Sequence, residues 1–139
     1  MEIEWLVLAD SAQVVANKLY LLGGGWDRIP LNKDLPQHFA VAVAIKVPWN
    51  ETNIRHTFEI EVLSEDRNTE EIRSIAKMGG QFEVGRPAGI PTGREQRIQL
   101  ALDVGLKFDN PGTKRIVASI DGSISRELHF DVVQIQKRS

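Results

Sequence analysis

From Gln96 to Phe108 the chain alternates almost without fault. Ile98, Leu100, Leu102, Val104, Leu106 and Phe108 take one parity, and Arg97, Gln99, Ala101, Asp103, Gly105 and Lys107 take the other. Successive side chains of an extended chain point to opposite faces, so this is the pattern of a strand with one face buried and one wet. The pattern recurs. Phe39, Val41, Val43, Ile45 and Val47 alternate with Ala40, Ala42, Ala44 and Lys46 until Pro48, which lacks the N–H a ladder needs. His56, Phe58, Ile60 and Val62 alternate with Arg55, Thr57, Glu59 and Glu61, and the two segments are expected to be neighbours in one antiparallel sheet.

Turn chemistry separates further strands. Ile3 to Ala9 is apolar on both faces, with Trp5 and Val7 on the Ile3 side, and reads as a strand buried on both sides. Ala12 to Val15 and Leu19 to Leu22 flank Ala16-Asn17-Lys18, where Asn accepts a left-handed conformation, so a hairpin is expected. Ser64 to Thr69 is a polar turn. Glu70 to Met78 is open between a short helix and an irregular edge strand, because Ile72, Ile75 and Met78 are spaced by three. Phe82 and Val84 make a short strand before Arg86 to Gly93, whose prolines and glycines forbid regular pairing. Asn110-Pro111-Gly112 reads as a type II turn. In the last hairpin a two-residue turn at Asp121-Gly122 would set Ile120, Ala118 and Ile116 opposite Ser123, Ser125 and Glu127. Pairing Ile120 with Ile124, Ala118 with Arg126 and Ile116 with Leu128 matches the faces better, which predicts an odd-numbered loop or a bulge at Asp121 to Ser123.

Many short strands with turns every 8 to 12 residues or so are the signature of a two-sheet antiparallel β-sandwich. The expectation is all-β, immunoglobulin-like or a related Greek key, with a jelly roll or β-barrel as the alternative. A chain of 139 residues is sized for a single domain, taken as 1–139.

Composition narrows the function classes. Lys plus Arg number 17 against 19 Asp plus Glu, a net charge of -2, so the electrostatic footprint of a nucleic-acid partner is missing. The lack of cysteine excludes disulfides, thiolate zinc, iron–sulfur ligation and cysteine nucleophiles, and it suits the cytoplasm. Met1-Glu2-Ile3-Glu4-Trp5 is acidic where a secretory signal is basic, and no apolar run approaches the roughly 18 residues of a membrane span. A soluble cytoplasmic protein with no membrane partner is expected.

Catalytic patterns are weak. His38, His56 and His129 show no ligand spacing; His129 shares an exposed face with Glu127 and Asp131, which reads as a solvated polar stripe. No Gly-x-Ser-x-Gly elbow surrounds any serine, and the loops at Asp66, Asp109 and Asp121 lack the acidic spacing of a calcium site. Asp10 and Asp27 could meet at one end of a sheet as a hydrolytic pair, but strand-ending aspartates are more commonly turn caps. No enzyme activity, metal or cofactor is expected.

Two segments stand out as surfaces. Gly23-Gly24-Gly25-Trp26-Asp27-Arg28 frees the backbone for positive dihedrals or close approach, yet it lacks the helix and the Gly-Lys-Ser/Thr ending of a phosphate cradle. Either Trp26 packs on the sheet edge beside a bulge, or Gly24, Gly25, Trp26, Asp27 and Arg28, with Trp49, offer a flat amphipathic face to a partner or a sugar. The second segment is the stripe Ala40, Ala42, Ala44. It occupies a face that usually carries Thr, Lys or Glu, which implies cover by a loop such as Arg86 to Gly93 or a flat self-association surface. The expected function is therefore a non-enzymatic protein-interaction or assembly module, with a ligand- or carbohydrate-binding domain as the alternative.

Several of these residues carry a resemblance. Leu8-Ala9-Asp10, Ala12-Gln13-Val14, Lys18-Leu19 and Leu22-Gly23-Gly24-Gly25-Trp26-Asp27 resemble the N-terminal signature of a family of small bacterial proteins known only as a domain of unknown function. The likeness continues at Val47-Pro48-Trp49, Arg55-His56-Thr57-Phe58, Phe82 to Pro87, Pro111-Gly112 and Ile120-Asp121-Gly122. It implies a compact β domain and attaches no activity. Lys114 departs from it, standing where such folds often place an aromatic residue.

Overall fold

The computed structural model describes residues 1–65 and 71–135. Among the described residues nine strands form two sheets: β1 (Glu2–Val15), β2 (Lys18–Gly24), β3 (Arg28–Pro30), β4 (Gln37–Val47), β5 (Arg55–Glu65), β6 (Ile72–Glu83), β7 (Gln96–Leu106), β8 (Gly112–Ile120) and β9 (Ser123–Val133). The first sheet runs β2-β1-β4-β7 and is antiparallel throughout. The second runs β3-β9-β8-β5-β6 and is mixed, because the short β3 pairs with β9 in parallel. The inward files of both sheets, among them Val41, Val43 and Ile45 from one and Ile60, Val62 and Ile116 from the other, form a single hydrophobic cluster. Burial of such aliphatic side chains at about 1.5–3 kcal/mol each is the main force holding the sheets together.

β4 and β5 are not neighbours but lie in different sheets. Alternation decides which side chains face in; it does not decide which strand lies alongside. Pro48 ends the β4 ladder, and a 3-10 turn at Trp49–Glu51, tied by Thr52 N–H to the Trp49 carbonyl (3.3 Å), leads the chain into β5 on the other side of the core.

Irregularities in pairing account for the other departures. A register shift between Ile3 and Trp5 moves Ile3 to the core side with Leu6 and Leu8 and leaves Trp5 and Val7 on the opposite face, paired with Ala44 and Ala42. Ile72 to Met78 is strand, while Glu70 and the turn residues 66–69 lie outside the described residues. The three-residue spacing comes from a shift at Val62/Leu63 that inserts Ile75 between the partners Ser74 and Ala76. In the last hairpin the loop is a two-residue turn, Asp121 (φ 51°) and Gly122 (φ 83°), pairing Ile120 with Ser123. The bulge lies one step further along. Between Ala118 and Ser119 the register shifts, which restores Ala118 with Arg126, Ile116 with Leu128 and Lys114 with Phe130, and Ile124 is left exposed.

The alanine stripe is covered by the chain itself. Ala40, Ala42 and Ala44 have no accessible surface, yet they are not part of the cluster between the sheets. β4 separates β1 from β7, which in a flat sheet would keep those two about 9.5 Å apart, but Cα atoms of both β1 and β2 come within 8 Å of β7. At the hairpin tip the Asn17 side-chain amide donates to the Arg97 carbonyl (3.1 Å) and its oxygen accepts from the Gln99 N–H (3.3 Å). Arg97 and Gln99 pair with Lys46 and Ala44, whereas β1 leaves β4 at Ala9, opposite Ala40. The hairpin therefore doubles back over the stripe, and methyl-sized side chains let it lie close. The stripe is not a free self-association surface, because it is fully buried and this hairpin lies over it.

Candidate functional site

The glycine loop is built to turn Trp26 inward. Gly23 has φ 60°, and a Cβ there would stand 2.3 Å from an Asp10 carboxylate oxygen; Gly25 has φ 87° and its N–H donates to the Leu8 carbonyl (2.7 Å). Trp26 then meets Phe39 and Phe130 edge to face, at 5.6 and 6.0 Å between centroids, and Phe130 meets Phe108 at 6.1 Å. Its indole N–H is buried without an acceptor among the described residues. Trp26 is thus a core anchor. Asp27 and Arg28 stay exposed, and the Asp27 carbonyl accepts from Asp131 N–H (2.9 Å) where β3 joins β9.

Trp49 lies elsewhere. It follows Val47 at the far end of β4 from Phe39, eight residues or about 26 Å of extended chain away. The Arg86 guanidinium covers one face of its ring at 3.9 Å, donating to the Trp49 carbonyl (2.7 Å) and the Thr52 hydroxyl (2.6 Å). The two tryptophans therefore do not form one platform. Neither Asp10 nor Asp27 lines the cleft beside Lys114 or the one beside Gly79 and Gly80.

Near Trp49 the sheet ends carry a clamp centred on His56, which is buried. Nδ1 lies 2.7 Å from an Asp121 carboxylate oxygen and Nε2 2.8 Å from the Glu51 carbonyl. Both partners are acceptors, so the arrangement favours the ring with both nitrogens protonated, the imidazolium. Burial pulls its pKa down, but the Glu51 and Asp121 bonds outweigh that and leave it above the usual 6.5. Asp121 also accepts from the Thr57 N–H (2.9 Å), and this bond together with His56 holds its carboxyl below the usual 3.8. The sequence carries no pattern that links positions 56 and 121; only the register of β5 with β8 does.

The most open apolar feature is β2. It ends the first sheet, and all its residues but Leu19 are exposed, with Tyr20 at 57% and Leu22 at 72% of full accessibility. The turn Ala16 (φ 52°) and Asn17 (φ 57°) makes Val15 and Lys18 the closing, hydrogen-bonded pair. Counting outward by twos, Tyr20 and Leu22 bond to β1 while Leu19 and Leu21 aim their N–H and C=O groups at the free edge. The other three edges among the described residues are guarded: β3 is three residues long and ends in Pro30, β6 carries Arg73 and Lys77, and β7 carries Arg97 and Asp103 and is bonded at Arg97 and Gln99 by Asn17.

A family model described as "Family of unknown function (DUF6941)" matches residues 4–133. The chain belongs to that family. The match spans the glycine loop, the β2 edge and the His56 clamp alike, so all three lie within the family domain. No curated protein matches the sequence. No helix among the described residues is long and apolar enough to cross a membrane, and no three His, Cys, Asp or Glu side chains there are grouped to hold a metal ion.

Proposed function

We propose that this chain is a non-enzymatic assembly module, an immunoglobulin-like Greek-key sandwich working in the bacterial cytoplasm, that self-associates by joining the free edge of β2 to the same edge of a second copy. The Gly24 to Arg28 loop lies at the rim of that contact. The observation that carries the reading is the contrast between edges, since Leu-Tyr-Leu-Leu-Gly-Gly has neither charge nor proline, while the other edges have one or are capped. A two-fold pairing centred on Leu21 sets Leu19 opposite the partner's Gly23 and leaves no like charges face to face, because Lys18 lies at the outer end. The net charge of -2 gives two copies little reason to repel. The absence of cysteine supports the cytoplasmic setting.

Light scattering on the purified chain is expected to give a dimer. Leu21→Pro deletes one outward N–H without removing a bond to β1, and Leu22→Glu places a charge on the exposed face. Each is expected to weaken the dimer at least about tenfold, roughly 1.4 kcal/mol, with the melting temperature of the dissociated chain unchanged. A wild-type monomer at high concentration, or a dimer indifferent to both changes, overturns the proposal.

A further inference from the structure

Lys114 occupies the inward file of β8 with Ile116, Ala118 and Ile120, three residues that are buried and apolar. It is itself only 4% exposed. Its amine sits 5.9 Å from the centroid of the Phe108 ring and donates to the hydroxyl of its cross-strand neighbour Ser64 (2.8 Å). Among the described residues no carboxylate lies within 4.0 Å of it. A buried ammonium without a counter-charge is costly, and a hydroxyl does not neutralise it.

Lys114 lines a cleft of about 880 Å³ at the end of the second sheet, whose walls include Ser64, Arg73, Gly112 and Val132. The carboxylates on those walls are already engaged. Glu65 accepts from Arg115 (2.5 Å) and lies 3.6 Å from His129, Asp131 accepts from the Thr113 hydroxyl (2.9 Å), and Glu71 has a partner of its own. Burial, and then the nearby Arg73 charge, push the Lys114 pKa below its usual value, as expected where two cations approach without an anion between them.

We propose that this cleft binds an oxyanion, the carboxylate or phosphate group of a small solute, through the Lys114 ammonium and the Arg73 guanidinium, with Ser64 orienting the amine. The bound group supplies the missing counter-charge and accepts charge-assisted hydrogen bonds in a partly desolvated site. This surface is separate from the β2 edge, and the site requires no second copy.

The probes are succinate and inorganic phosphate, each compared with sodium chloride at matched ionic strength in thermal melts. The wild type is expected to melt several degrees higher in at least one of them, and which one responds separates a carboxylate from a phosphate site. Lys114→Met keeps the length of the stem and removes the charge; it is expected to be at least as stable as the wild type without anion and to show no anion response. Equal melting in chloride, succinate and phosphate overturns the proposal, as does an undiminished response in Lys114→Met. Should that variant fail to fold, Arg73→Ala carries the same decision, because Arg73 is exposed. Calorimetry must then show anion affinity reduced about tenfold, the loss expected of one charge-assisted contact, and unchanged affinity is fatal to the idea.

Discussion

Replacing Trp26 by alanine is expected to lower the unfolding free energy by about 3–5 kcal/mol, the usual cost of excising a large aromatic side chain from a packed site. Trp26 joins Phe39 of the first sheet to Phe130 of the second, so the loss would fall on the contact between sheets as well as on the ring itself. A domain of this size is stable by only about 5–15 kcal/mol, so the variant would be strongly destabilised. The urea midpoint should fall while the slope stays constant. Trp26→Phe should recover most of the loss, because it keeps ring contacts and removes an indole N–H that has no acceptor among the described residues. If Trp26 were instead a surface platform for a sugar or a partner, the alanine variant would keep the wild-type midpoint.

The His56 clamp is the second site of large effect. His56→Ala is expected to cost about 2–4 kcal/mol, combining a lost buried ring with one Asp121 carboxylate oxygen and a Glu51 carbonyl that lose the His56 donor. The pH dependence has a definite sign. His56 has a raised folded pKa, so its contribution is fully present below about pH 6.5 and is lost as pH rises through the higher folded value. Asp121 has a lowered one, so its contribution is present above about pH 3.8 and is lost as pH falls through the lower folded value. The pair therefore stabilises most between those limits. Urea melts should show wild-type stability declining from pH 6 to pH 8, and the decline should disappear in His56→Ala. A wild type as stable at pH 8 as at pH 6 would remove the imidazolium assignment.

Much of the architecture was legible because strand periodicity is a local property. The parity of β4, β5 and β7 follows from neighbouring residues alone, and it correctly separates inward Val41, Ile60 and Val104 from their polar or small alternates. Pairing is not local. Nothing within Phe39 to Val62 says that the chain changes sheets at Pro48, and nothing near Ile72 says that Ile75 is an extra residue opposite β5. In the last hairpin the matching of faces gives the partners of Ile116 and Ala118 but not the place of the irregularity, because facing residues are the same for a longer loop and for a bulge two residues away.

The candidate site was less legible. Trp26 and Trp49 are conspicuous residue types, yet β4 holds them at opposite ends, one beside Phe39 and the other beyond Val47. His56 and Lys114, each buried among apolar neighbours, were marked in the sequence only as polar side chains standing in apolar files. That signal is faint, but it was present at both positions.

The doubled-back hairpin also sets an order of events. Asn17 secures its tip to Arg97 and Gln99, 80 and 82 residues further along the chain, so the arm has no seat until β7 has been synthesised and has paired with β4. Contacts at such separation form slowly. A nascent chain on the ribosome therefore carries Leu19 to Leu22 undocked until β7 has emerged, the interval in which premature pairing with another chain is most costly.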